Sequence, residues 1–276
     1  MISSKTKLCV GIGDPIKQSI GPIVYNKAYE QLGVADEFVY LSFLIKADDI
    51  GDFIKGARAM GLRGITCTMP HKEIVMPHLD KIDEHAKKIG AVNTVVNDNG
   101  ILTGYNTDWI GAVKPLENVT ELKGKKVAVI GAGGAAKAFV YGLTNEGCDV
   151  TIYNRTVEKA KSLAEQFNCK YSSLDEQSEI KNADIVCNAT SVGFVGQDAE
   201  MPIDPENLSP NQIVFDAVYS PLKTELLKYA ESIGAKTVYG SEMYLYQGFE
   251  QIRLYTGHEA PEEAMRSFVM ELINAK

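Results

Sequence analysis

The chain has 276 residues, 45% hydrophobic and 23% charged, with 28 Lys and Arg against 36 Asp and Glu for a net charge of -8. That composition suits a globular protein of two compact domains or one large one. Its acidic balance argues against a nucleic-acid groove, which needs clustered Lys and Arg. No run of about 18 apolar residues is present to span a bilayer. Met1 to Lys7 lacks the apolar core of a signal peptide, so no membrane partner and a cytoplasmic location are expected. The five cysteines (Cys9, Cys67, Cys148, Cys169 and Cys187) are scattered and form no Cys-x-x-Cys pair. Neither a zinc site nor a disulfide framework is therefore expected, and no metal.

In chain order, Leu8 to Ile12 reads as a strand, followed by a loop from Gly13 punctuated by glycine and proline. A helix begins near Pro22, a residue suited to a first helical turn. Phe38 to Phe43 is a second strand, Ala47 to Met60 a helix ended by Gly61, and Gly64 to Thr68 a third strand. A helical stretch follows Pro70, is interrupted at Pro77 and resumes from Asp83 to Ile89. Val92 to Val96 and Ile101 to Tyr105 flank Asn97-Asp-Asn-Gly100, a hairpin signal.

Beyond Asn106-Thr-Asp108 the pattern changes to serial strand–helix units. Trp109 to Leu116 is helical, Val127 to Ile130 a strand, and the next helix runs to about Asn145. Asp149 to Tyr153, Ala183 to Asn188, Ile213 to Asp216 and Lys236 to Tyr239 are further strands. Val157 to Phe167 and Thr224 to Ile233 are helices between them. Such units predict an α/β fold with a parallel, doubly wound sheet. From Ser241 the pattern is helical, with a break from Gly257 to Pro261. The expected division is a substrate domain over 1–105, completed by helices in 241–276, and a Rossmann-type dinucleotide-binding domain over 106–240.

The chemistry is most legible at Gly131-x-Gly133-x-x-Ala136, which lies between a strand and a helix, as a dinucleotide fingerprint requires. Gly131 permits the tight turn, Gly133 a close approach of pyrophosphate, and Ala136 close packing of helix on strand. Ala132, Gly134 and Ala135 complete the loop, whose helix N-terminus offers N–H groups to phosphate. The following strand decides the cofactor. An NAD site places Asp or Glu at its end. Here the end is Asn154-Arg155-Thr156, with Lys159 one turn on, and Arg155 offers the planar fork that suits a 2′-phosphate. The expected cofactor is NADP.

Several separated motifs together resemble the shikimate/quinate dehydrogenase family: Gly13-x-Pro15-Ile16-x-x-Ser19, Thr68-x-Pro70-x-Lys72, Gly90-Ala-Val-Asn-Thr94, Gly104-x-Asn-Thr-Asp108, the glycine turn, Asn154-Arg-Thr156, Asn188-Ala-Thr-Ser-Val-Gly193 and Met243-x-x-x-Gln247-Gly248. The resemblance spans nearly the whole chain. It implies NADP-dependent, reversible reduction of 3-dehydroshikimate to shikimate, in aromatic amino acid and chorismate biosynthesis, with Lys72 and Asp108 as the catalytic pair. A lysine ammonium can protonate a developing alkoxide, and a nearby carboxylate can hold it. The resemblance also implies that Ser19, Thr66, Asn93, Thr107, Tyr219 and Gln247 contact substrate. Thr190, Ser191, Val192, Gly240 and Met243 would line the cofactor pocket beside the glycine turn. A monomer or a homodimer is expected.

The chain departs from the family pattern at three places. Ser19-Ile20-Gly21 replaces Ser-x-Ser, so one carboxylate donor is missing. Thr66 replaces an Asn, keeping a donor but not its reach, and Tyr25 stands where His is usual. An alternative substrate is therefore quinate or a related hydroxylated cyclic carboxylate. Two other classes remain: a folate-linked NADP dehydrogenase, disfavoured by Lys72, Asn93, Asp108 and Gln247, and a non-catalytic NADP sensor, disfavoured by the retained Lys72 and Asp108. His71, His78 and His85 recur at sevens, but Pro77 breaks the helix between them. Surface histidines are the expectation.

Overall fold

A computed structural model of the chain describes residues 2–194 and 200–274. It divides into two compact units, Met1–Thr107 with Gln247–Leu272, and Asp108–Tyr246 with Ile273–Lys276.

The first unit is built on strands β1 (Lys7–Gly13), β2 (Phe38–Leu44), β3 (Gly64–Cys67), β4 (Lys81–Ile82), β5 (Thr94–Asp98) and β6 (Ile101–Tyr105). They form one mixed sheet in the order β2-β1-β3-β5-β6-β4. β1 lies parallel to β2 and β3, whereas β3–β5 and β5–β6 are antiparallel. The hairpin joining β5 and β6 places Asn99 and Gly100 at positive φ, as its sequence signal requires. Helices α1 (Gly21–Gln31), α2 (Ile50–Ala59), α3 (His71–Ile74) and α4 (Glu84–Ile89) connect the strands. One face of the sheet buries Val10, Ile12, Ile65, Val92, Val95 and Leu102 against Ile50, Ile54 and Ala57 of α2. The two-residue strand β4 follows Pro77 and is too short to carry a periodic signal in the sequence.

The second unit holds helix α5 (Asp108–Glu117), strands β7 (Lys126–Ile130), β8 (Asp149–Asn154), β9 (Lys170–Ser173), β10 (Ile185–Asn188), β11 (Ile213–Asp216) and β12 (Lys236–Val238), and helices α6 (Gly134–Asn145), α7 (Val157–Phe167) and α8 (Glu225–Ser232). Its six strands are all parallel, in the order β12-β11-β10-β7-β8-β9. The chain starts this sheet at β7, builds outward to β9, then returns beside β7 with β10. The strand order therefore reverses between β7 and β10, where doubly wound sheets bind ligands at the carboxyl ends of the strands. Strands buried on both faces read as continuous apolar runs, which is why β7, β10 and β11 are visible in the sequence. Edge strand β9 (Lys-Tyr-Ser-Ser) is mostly polar and is visible only in the structure.

Two helices close the chain, α9 (Gly240–Thr256) and α10 (Glu262–Asn274). The division between the units falls inside α9, whose residues from Gln247 onward belong to the first unit. Arg63 secures that half. Its Nε donates to the carbonyl of Tyr255 at 2.8 Å and its Nη2 to that of Leu254 at 3.0 Å, which satisfies two helix-terminal acceptors and sets a cation at the helix C-terminus.

Candidate active site

In the first unit the segment carrying Lys72 is pinned from both sides. His71 is wholly buried, and its Nε2 lies 2.8 Å from the Ile45 carbonyl oxygen, which only accepts, so Nε2 donates. This corrects the expectation of a surface histidine. The side chain turns under α3, and Lys72 is the neighbour left half-buried. The Val92 N–H donates to the Lys72 carbonyl at 2.7 Å, which ties the lysine main chain to the residue preceding Asn93.

Asn93 lies at the start of β5, 2% exposed. Its Oδ1 accepts from the main-chain N–H of Thr107 at 2.8 Å and from the Thr94 hydroxyl at 2.8 Å. Its Nδ2 donates to Thr107 Oγ1 at 3.0 Å and reaches Gln247 Oε1 at 3.5 Å. A main-chain N–H can only donate, so the Asn93 amide has one orientation. Thr107, Asn93 and Gln247 are thus brought together. Asp108 follows Thr107 in the chain, is 6% exposed and opens α5 of the second unit.

Thr66 joins the same network from β3. Its Oγ1 donates to Gln251 Oε1 at 3.3 Å and lies 2.9 Å from the Tyr255 hydroxyl. Tyr25 also donates to Gln251 Oε1, and Gln251 Nε2 donates to Thr94 Oγ1 at 2.8 Å. Burial raises the Tyr255 phenol well above its ordinary range, partly offset by the Thr66 hydroxyl. The donor that the sequence leaves at position 66 is therefore used inside the protein. Gln251 and Tyr255 are residues the sequence reading passed over. Their signal was present: Gln247, Gln251 and Tyr255 recur at four-residue steps and so share one face of α9.

Ser19 is exposed ahead of α1, and its Oγ accepts the Gly21 N–H at 3.2 Å. Behind it, Tyr25 stacks on Tyr40 with ring centroids 4.4 Å apart. Asn26 fastens α1 to edge strand β2 by a reciprocal pair, donating to the Tyr40 carbonyl and accepting the Tyr40 N–H, each at 2.8 Å.

In the second unit, Gly131 follows β7 at φ +109°, a conformation that side chains disfavour, and a Cβ there would lie 2.9 Å from Thr190. That contact joins the two loops at the point where the strand order reverses. Gly133 and Gly134 face open space within 4 Å of where a Cβ would stand, and the N-terminus of α6 has no side-chain cap. Ala136 is fully buried. Uncapped N–H groups beside an open glycine cradle fit a pyrophosphate. Asn154 Nδ2 donates to the Thr156 carbonyl at 2.8 Å and so folds the turn after β8. Arg155, Thr156 and Lys159 are exposed there, and neither Arg155 nor Lys159 has an acidic partner among the described residues. The residues present fit NADP.

The loop after β10 is organised by Asn188, whose Oδ1 accepts the Thr190 N–H at 3.1 Å and hydroxyl at 2.7 Å. Asn188 Nδ2 donates to Asp216 at 2.9 Å and reaches the Val192 carbonyl at 3.3 Å. Asp216 also accepts from Thr224 Oγ1 at 2.6 Å and the Val218 N–H at 3.0 Å. It thereby holds the Thr190–Val192 loop to the turn bearing Tyr219, a role the sequence reading did not assign. Burial pushes its carboxyl up to about 6, against the pull of these donors. Tyr219 packs on Phe194 and Tyr244. Gly240 opens α9 so close to Val218 that a Cβ would meet its carbonyl oxygen at 2.4 Å. Met243 is 9% exposed in the core of this unit, against Gly111 of α5.

All five cysteines are free thiols. Burial pushes Cys9 and Cys67 up to about 12, so neither is a thiolate nucleophile. Among the described residues no group of His, Cys, Asp and Glu is placed to hold a metal, and no helix is long and apolar enough to cross a membrane.

Three family models match the chain: the shikimate dehydrogenase substrate binding domain over residues 12–95, shikimate / quinate 5-dehydrogenase over 114–201, and the shikimate 5′-dehydrogenase C-terminal domain over 240–267. The NADP(+)-dependent shikimate dehydrogenase of Thermococcus kodakarensis is 42% identical, the match covering 99% of this chain and 100% of that one. A crystal structure of a shikimate dehydrogenase in complex with NADP+ superposes with a TM-score of 0.94 at 38% identity, covering 99% of this chain and 98% of the other. The enzyme from Thermus thermophilus, solved with NADP(H) and shikimate, gives a TM-score of 0.89 at 32% identity over 96% and 99% of the two chains.

Proposed function

The chain belongs to the shikimate/quinate dehydrogenase family, and on that premise we propose that it catalyses the reversible, NADP-dependent reduction of 3-dehydroshikimate to shikimate. The observation that carries the substrate assignment is the joined polar cluster of Thr66, Asn93, Thr107 and Gln247. A ring bearing several hydroxyls needs such convergent, oriented partners, because each polar group removed from water must be matched.

Each unit has its own task in this reading. The first, Met1–Thr107 with Gln247–Leu272, binds the hydroxylated acid through Ser19, Thr66, Asn93, Thr107 and Gln247. The second holds the nucleotide. Gly131 to Ala135 and the α6 N-terminus receive the pyrophosphate, and Arg155 with Asn154, Thr156 and Lys159 receives the 2′-phosphate. Thr190, Ser191, Val192, Gly240 and Met243 border the nicotinamide, and Tyr219 faces the substrate acid. Bound NADPH supplies the hydride.

Lys72 holds the proton that the carbonyl oxygen of 3-dehydroshikimate takes up as it becomes a hydroxyl. Its ammonium also stabilises the negative charge developing on that oxygen. In the oxidising direction the neutral amine accepts the same proton. Asp108 is the second member of the proposed catalytic pair and accepts from a substrate hydroxyl. The reading is tested by following reduced-cofactor absorbance with shikimate, quinate and related acids in turn, each with NADP and NAD. Turnover with shikimate and NADP is expected; absence of turnover with every acid would favour a nucleotide-binding sensor.

A second reading is favoured by one observation. Gly21 offers no hydroxyl and the Thr66 proton is directed to Gln251, so in this second reading the preferred acid is quinate or a related hydroxylated cyclic carboxylate. The same panel separates the two by the ratio of kcat/KM values.

A further inference from the structure

The hydrogen bonds of the first unit determine one another's direction, starting from a group whose direction is not in doubt. The Thr107 main-chain N–H donates to Asn93 Oδ1 at 2.8 Å. Asn93 Oδ1 is an acceptor only, so the Thr94 hydroxyl, also at 2.8 Å, donates its single proton there. Having no proton left, Thr94 must accept from Gln251, which places Nε2 against it at 2.8 Å and turns Oε1 the other way. Oε1 then requires donors, and it has them in the Thr66 and Tyr25 hydroxyls. With its proton spent on Gln251, Thr66 must accept from the Tyr255 hydroxyl, 2.9 Å away.

The outcome is a wall of one polarity. Thr66, Tyr25 and Tyr255 send their protons into the protein, and none is left to offer a ligand, whereas Thr66 keeps one lone pair. Asn93 has the opposite polarity, with its Nδ2 toward Thr107 and Gln247. Gln251 is the hinge of this ordering. It is fully buried and joins Thr66 and Tyr25 on one side to Thr94, and through it Asn93, on the other.

We propose that Gln251 is a positioning and specificity-determining residue: it orients the hydroxyl wall so that Thr66 meets a substrate hydroxyl, which can donate to it, and rejects the carboxylate, which cannot. This rests on the reading that Thr66 and Asn93 line the substrate site. It extends that reading by naming which side of the substrate faces β3. A carboxylate against lone pairs alone is repelled, whereas a hydroxyl arriving as donor is accepted.

Gln251→Glu and Gln251→Met test the proposal in the intact chain. A neutral glutamic acid reproduces every bond, since its carbonyl accepts from Thr66 and Tyr25 and its hydroxyl donates to Thr94. Ionised, it has nothing to donate. Burial raises the pKa of a carboxyl there while the donating hydroxyls lower it, and ionisation with rising pH removes the proton given to Thr94, so shikimate KM for Gln251→Glu should match the parent at low pH and rise about tenfold as pH increases, with KM for NADP unmoved. Gln251→Met breaks the ordering at every pH. Its shikimate KM should rise about tenfold while kcat stays within about threefold, and the penalty for mono-deoxy analogues of shikimate should shrink. If the Met variant does not fold, Gln251→Glu carries the test alone. A Gln251→Glu profile of KM against pH identical to the parent's would overturn the proposal, as would a Met variant with parental KM and deoxy penalty. Lack of shikimate turnover by the parent is a different outcome, which strikes the proposed function instead.

Discussion

The ring of Tyr40 stands where a side chain on residue 21 would point. A Cβ at Gly21 would lie 3.2 Å from Tyr40 Cε1 and 3.1 Å from Ser19 Oγ, tighter than most real contacts. The loss of a hydroxyl at position 21 and the inward turn of Tyr40 are thus one packing arrangement. Gly21→Ser needs Tyr40 to yield by a few tenths of an ångström and should cost about 1 kcal/mol of stability. Combined with Thr66→Asn, which returns an amide donor to β3, it should lower the shikimate KM about tenfold. Thermal unfolding and initial-rate kinetics read both effects. An unchanged KM would show that neither position governs binding of the acid.

Lys72→Ala is expected to reduce turnover by about 10²–10⁴-fold, the usual range for loss of a positioned proton donor. Lys72 is half-buried and its main chain is held independently by Val92, so stability should change by less than about 1 kcal/mol. Turnover close to the parent's, in a variant with normal unfolding, would remove Lys72 from the chemistry.

Arg155 is exposed after β8, whose last residue is Asn154 rather than an acidic residue that would hold a ribose hydroxyl. Arg155→Ala should raise KM for NADP about ten- to hundredfold, the worth of hydrogen bonds to a charged group, and leave KM for NAD within about threefold. Equal losses for both cofactors would mean that Arg155 supports the loop rather than the 2′-phosphate.

Asp216 makes a prediction about pH. Its carboxyl is raised from 3.8 to about 6 in the folded chain. The folded state therefore holds the proton more tightly than the unfolded one. The resulting stabilisation is complete below the unfolded value near 3.8 and is lost as pH rises through about 6. Across that window the parent should lose about 3 kcal/mol that Asp216→Asn does not lose. Denaturant titrations of both proteins at several pH values between about 4 and 7 give the difference. If the two curves run parallel, Asp216 is ionised throughout.

Residues that must obey a local rule were legible in the sequence. Gly131 is forced by its positive φ and by Thr190, and the Asn99-Gly100 turn by the twist of its hairpin. The runs of β7, β10 and β11 are apolar because both faces are covered. Edge strand β9, mostly polar, and the short β4 escaped because neither has enough residues on one buried face to make a pattern. His71 was misread for a related reason: burial of a polar ring depends on one carbonyl, that of Ile45, which lies 26 residues away in the chain.

The amino-acid sequence by itself determined the family, the nucleotide turn and the residue types available for proton and hydride exchange, because these depend on chemistry carried within short motifs. Tertiary structure decided which way those groups point. Gln251 and Tyr255 come beside Thr66 only when α9 packs against β3, across 185 and 189 residues of chain. A hydroxyl has a single proton, and where it goes depends on neighbours that only the folded chain supplies. The donor left at position 66 and the ring beside Gly21 are accordingly properties of the packed sheet and helix, not of the motifs that contain them.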